Sequence, residues 1–69
     1  MNFKIFETNY NGKKFRIEED YSEIGVYLYI YEDGKCIRDY LQNDIETCKQ
    51  IAFDDYKVPV DKWVLKENS

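Results

Sequence analysis

Residues 25–42 read GVYLYIYEDGKCIRDYLQ, and the way the two halves of this stretch pair decides the fold. Tyr27, Tyr29 and Tyr31 fill every second position, with Val26, Leu28 and Ile30 between them. Successive side chains of a strand point to opposite faces, so one side of the segment is aliphatic and the other phenolic. Asp33-Gly34 supplies the positive-φ pair that a two-residue hairpin turn requires. With that turn Ile30 opposes Ile37, Val26 opposes Leu41, Tyr29 opposes Arg38 and Tyr27 opposes Tyr40. Val26, Leu28, Ile30, Ile37 and Leu41 then share one face, and Asp39 is its one awkward member, opposite Leu28. A three-residue turn would set Arg38 beside Leu28 and scatter the aliphatic residues. The two-residue register is therefore the expectation.

The same signal occurs upstream. Asn11-Gly12 separates NFKIFETNY (2–10) from KKFRIEED (13–20), and a two-residue turn there sets Tyr10 against Lys13, Thr8 against Phe15 and Phe6 against Ile17. Phe6, Tyr10, Phe15 and Ile17 make the better core face. Phe3, Ile5, Glu7, Arg16 and Glu18 lie on the other. The intervening DYSE (20–23) reads as a loop.

From Asn43 the period changes to that of a helix. In NDIETCKQIAFDDYKVP (43–59) Ile45, Cys48, Ala52 and Tyr56 fall on one stripe, flanked by Ile51 and Phe53. Asn43 and Glu46 have capping-box spacing, Asp44 adds negative charge near the positive helix end, and Pro59 ends the element. In the tail, Val60, Trp63 and Val64 or Leu65 are expected to fold back over an edge of the core, as a turn or an extended piece. The predicted architecture is α+β: one domain over residues 1–69, a four-stranded antiparallel meander with one C-terminal helix on one face (ββββα) and a short C-terminal tail.

Composition narrows the functions this fold could carry. The 69-residue chain has a formal net charge of −4 and no histidine. A domain this small buries only about 60% of the surface its unfolded chain exposes, so an interface with another chain would be a useful supplement. Net negative charge opposes general nucleic-acid binding, which needs concentrated positive surface. Without histidine the chain lacks the usual general base and the commonest metal ligand. The acidic runs EEDYSE (18–23) and FDDY (53–56) lack the spacing and glycine of a calcium loop. No metal, no cofactor and no enzymatic activity are expected.

Two cysteines, Cys36 and Cys48, fall on opposite faces of the predicted sheet–helix pair, too far apart to join. The opening residues lack an apolar leader stretch and no segment is long enough to span a membrane, which leads to the expectation of a cytoplasmic protein with reduced thiols.

The remaining lead is the sheet face opposite the helix. The predicted register gathers Phe3, Ile5, Tyr27, Tyr29, Tyr31, Arg38 and Tyr40 there, with Cys36 among them. Tyrosine is favoured at interfaces because its ring buries large area while its hydroxyl tolerates water, although β-propensity and cross-strand pairing would favour the same residues. The expected function is a non-enzymatic protein-interaction module, either a homodimer or the binder of one protein partner, with those seven residues as the contact surface. The alternative is a single-stranded nucleic-acid binder, because sheets that interleave aromatics with arginine also stack bases.

Overall fold

The computed structural model describes residues 3–68. Four strands, β1 (Lys4–Tyr10), β2 (Lys13–Glu19), β3 (Val26–Glu32) and β4 (Lys35–Gln42), form the antiparallel meander and are followed by helix α1 (Ile45–Tyr56). The tail then makes a single 3₁₀ turn at Val60–Lys62 and a fifth strand, β5 (Val64–Asn68), giving the sheet order β4-β3-β2-β1-β5. The class is α+β, as the sequence pattern predicts, and the tail, expected as a turn or an extended piece, is a turn followed by a strand that joins the sheet. No helix among the described residues is long and apolar enough to cross a membrane.

Both turns form as their sequences require. Asn11 and Gly12 have φ of 53° and 79°, and Asp33 and Gly34 have 53° and 78°, the paired positive values of a tight hairpin turn. The first hairpin keeps the simple register, with Tyr10 against Lys13, Thr8 against Phe15 and Phe6 against Ile17. The second departs from it. Glu32 pairs with Lys35 and Tyr31 with Cys36, but Ile30 pairs with Arg38, so Ile37 is an extra residue bulged out of β4. Beyond the bulge Tyr29 faces Asp39, Leu28 faces Tyr40 and Tyr27 faces Leu41.

This bulge reverses the expected sides of the second half of β4. Arg38 and Tyr40 belong to the helix side and not to the phenol face, while Asp39 and Leu41 belong to the phenol face. Ile37 and Leu41, expected in the core, are 42% and 50% exposed. Strict alternation would have pressed Asp39 onto Leu28 beneath the helix, and burying an unpaired carboxylate is costly. The inserted residue puts Tyr40 there instead, packed on the core with its hydroxyl by the Asp55 carboxylate.

Phe15, Ile17, Leu28, Ile30, Cys48, Ala52 and Val58 are fully buried and Val26 nearly so. The helix stripe is the expected one: Cys48 and Ala52 are inside, with Ile45, Ile51 and Tyr56 packed against them, whereas Phe53 is exposed. The cap is one residue later than the capping-box reading, since Asp44 precedes the first turn and its Oδ1 accepts the Thr47 N–H at 2.7 Å. The end is earlier than Pro59 alone would require. Lys57 adopts φ 66°, and the N–H groups of Lys57 and Val58 return to the carbonyls of Phe53 and Ala52, satisfying acceptors that the helix end leaves open.

That reversal drops Val58 into the core and leaves Val60 exposed, the opposite of the sequence expectation for Val60. Trp63 follows, its ring edge-on to Phe15 with centroids 6.3 Å apart. β5 then pairs with the open edge of β1, Glu7 against Val64 and Phe6 against Leu65, and shifts register between Phe6 and Ile5.

Truncating Tyr40 should therefore cost far more than altering the bulged Ile37. Tyr40→Ala removes a ring packed on the core, a loss of about 2–4 kcal/mol. Ile37→Ser, which keeps the residue count at an exposed position, should change stability by no more than about 0.5 kcal/mol. Urea unfolding midpoints of the two variants measure the difference.

Candidate interaction surface

The side of the sheet away from α1 is assembled from the residues that alternation leaves outside the core. Following the strand pairing across the sheet, one row runs Leu41, Tyr27, Glu18, Ile5. The middle row runs Asp39, Tyr29, Arg16, Glu7, Val64, and the third Cys36, Tyr31, Lys14, Asn9. The face thus has an aromatic half on β3 and a charged half on β2 and β1.

In the aromatic half the three phenol rings are in succession. Tyr27 and Tyr29 stack with centroids 5.6 Å apart and planes 10° from parallel, and Tyr31 continues the row at 6.4 Å, tilted by 39°. Offset stacking at this distance is favourable for aromatic pairs. All three rings are half-buried by their neighbours. Burial, with the nearby Glu18 charge, the flanking phenols and Asp39, raises the pKa of Tyr29 above that of an ordinary tyrosine. Its hydroxyl stays neutral in physiological conditions.

In the charged half, Arg16 lies between two carboxylates. Its Nη1 donates to Glu7 Oε2 at 2.6 Å and its Nε to Glu18 Oε2 at 2.5 Å. Lys14 adds a second cation 3.4 Å from the same Glu7 oxygen. Burial opposes ionisation of Glu7, whose side chain is only 15% exposed, yet Arg16 and Lys14 outweigh it and hold its pKa below the usual carboxylate range. The pairing with Glu18 correspondingly raises Arg16. Arg16 and Lys14 are therefore engaged within the chain, while Lys62 and Lys66 lie near Glu7 toward β5.

Of the seven residues picked from sequence for this surface, Ile5, Tyr27, Tyr29 and Tyr31 lie on it. Arg38 and Tyr40 do not, for the reason given by the bulge. Phe3 precedes β1, and its ring meets Tyr21 of the β2–β3 loop edge-on at 5.2 Å instead of joining the phenol row. The structure adds Leu41, Asp39 and Val64. Asp39 had a visible sign in the sequence, since its placement against Leu28 was the one misfit of the simple register. Val64 was expected only in a tail covering an edge of the core, because nothing in its neighbours marks a strand that pairs with β1.

The two cysteines differ as expected: Cys36 is exposed beside Tyr31 and Cys48 is buried beneath the helix. Burial, with the Asp44 charge as a smaller contribution, pushes the Cys48 thiol up to about 11. It is a small apolar filler and not a nucleophile.

The Glu7 cluster fixes the direction of an acid response. A carboxylate with a depressed folded pKa contributes stability that is complete above its unfolded value, 4.5, and is lost as pH falls through the folded value. Urea unfolding between pH 7 and pH 2 should show stability falling below about pH 5, with a smaller drop in Glu7→Gln, which has no proton to take up. An identical pH profile in that variant would remove Glu7 from the account. No protein-family model, curated protein or solved structure matches this chain.

Proposed function

We propose that this chain is a small protein-interaction module that docks through the open sheet face, with a second copy of itself as the occupant. The carrying observation is the continuous row Tyr27–Tyr29–Tyr31 on a face that no second layer covers among the described residues. Tyrosine offers large, rigid contact area with little rotamer entropy to lose, which suits the centre of an interface.

Size supports the second copy. The molecule measures 33 × 24 × 20 Å, so its broad face matches the ~800 Å² that each partner contributes to a standard interface. Symmetry allows the phenol rows to meet. A two-fold axis in the interface plane and perpendicular to the strands would stack β3 on β3 and reverse its direction. Tyr29 then meets its own copy and Glu18 at one end of β2 meets Lys14 at the other, while Asp39, Arg16 and Glu7 of the same row also meet theirs, so the phenols and not the charges favour this arrangement. The sheet edges are poor alternatives. β4 is bulged at Ile37 and carries Lys35, Arg38 and Asp39, and β5 shifts register beside Lys66, both devices that deter strand addition.

A nucleic-acid strand on the same face is disfavoured by its charge. Lys14 and Arg16 are both held by Glu7, and Asp39 and Glu18 stand beside the rings, so phosphates of a strand stacked on the phenols would find no surplus of positive charge there, Lys62 and Lys66 lying away toward β5.

Sedimentation velocity from about 1 μM to about 1 mM, a range covering standard free energies of roughly −8 to −4 kcal/mol, should show the mass rising to that of two chains. Tyr29→Ser should weaken association about tenfold or more. A constant single-chain mass for the unaltered protein would sink the proposal. So would a dimer indifferent to Tyr29→Ser.

A further inference from the structure

On the helix side of the sheet, the start of β1, the 20–25 loop and the first turn of α1 border an open hollow of about 620 Å³. Its lining combines two chemistries. Phe3, Phe6 and Tyr21 make it aromatic, with Phe3 and Tyr21 held edge-on at 5.2 Å. Glu19, Asp20, Asp44 and Glu46 surround these rings with four carboxylates against two ammonium groups, Lys4 and Lys49, leaving two negative charges in excess.

One of those ammonium groups already displays what such a lining holds. Lys49 Nζ stands 4.6 Å from the centre of the Phe6 ring, within the range of a cation–π contact. Three of the carboxylates have work within the chain: Glu19 accepts the Lys4 backbone N–H, Asp20 that of Tyr21, and Asp44 that of Thr47. Glu46 belongs to none of the ion pairs among the described residues.

We propose that this hollow receives a lysine or arginine side chain from a basic segment of a protein partner. Long cationic side chains lay their alkyl stems on apolar surface while the charged head stays among polar groups, and the rings and carboxylates here offer both. A bare metal cation has no alkyl stem to lay on the rings. A phosphate-bearing ligand would be repelled. The hollow lies on the opposite side of the sheet from the tyrosine row, so it does not depend on self-association of the chain.

The test is an amide-shift titration of the full chain with a short capped peptide of alternating lysine, arginine and alanine at low salt. Saturable shifts confined to Phe3, Tyr21, Ile45 and Lys49 are expected. Glu46→Gln and Asp20→Asn should each weaken binding roughly two- to fivefold, the range of one partly exposed ion pair. Asp61→Asn, which makes the same change in net charge in the exposed 3₁₀ turn, should leave it unchanged. Lys49→Met, which takes the resident ammonium off the Phe6 ring, should strengthen it. Equal weakening by Glu46→Gln, Asp20→Asn and the control Asp61→Asn would overturn the proposal, because general acidity would then account for binding. Shifts scattered over the acidic surface, or spermidine binding as tightly as the peptide, would overturn it equally.

Discussion

One helix can cover only one side of a sheet, and the chemistry of this chain is divided accordingly. On the α1 side the buried positions run from Phe15 and Ile17 through Leu28 and Ile30 to Val58, with Thr8 the one buried polar side chain among the described residues. The opposite side has no covering element among the described residues, so its residues must be stable in contact with water and still hold one another. The phenols do this by stacking along β3. Arg16 does it by joining Glu7 and Glu18 across strands. Cross-strand pairs of either kind contribute a few tenths to about 1 kcal/mol each, a useful sum in a domain whose total stability is a few kcal/mol.

The division is enforced at one residue. Up to Cys36, β4 alternates as a plain hairpin partner of β3; after Ile37 it alternates in the opposite sense. Without the shift the carboxylate of Asp39 would enter the core and the ring of Tyr40 would leave it. With it, Tyr40 closes the core at the sheet edge and Asp39 takes its place beside Tyr29. The same insertion kinks an edge strand that would otherwise offer a long straight ladder to other chains. One bulge thus serves the core, the open face and the edge.

Much of this was legible in the sequence, and the parts that were not share a cause. Asn11-Gly12 and Asp33-Gly34 fix their own backbone angles, so both turns and the whole first hairpin could be read from adjacent residues. The stripe Ile45, Cys48, Ala52, Tyr56 likewise identified the buried helix face. The bulge could not be read in this way, because the choice between Ile37 and Tyr40 as core residue depends on burial summed over the whole of β4. Asp39 carried the only local warning. Val58 and β5 were missed for a similar reason: a left-handed Lys57, which is neither glycine nor asparagine, redirects the chain two residues before Pro59. The open face was recovered where it depends on β3 and misassigned where it depends on β4, at Arg38 and Tyr40.

The composition of the open face also bears on how strongly it can hold a partner. An interface of ordinary size spans micromolar to picomolar affinity, according to how well its polar groups are compensated. Here half of the area consists of ions already satisfied within the chain, and covering them removes water from Glu7, Arg16 and Glu18 with little new pairing to offset the loss. Only the phenol half gains from burial without such opposition. The uncovered face is stable for the same reason, since its ion cluster is complete and its hydroxyls can bond water. A surface that is stable both covered and uncovered suits association that forms and dissolves with concentration, not a permanent interface that the fold requires.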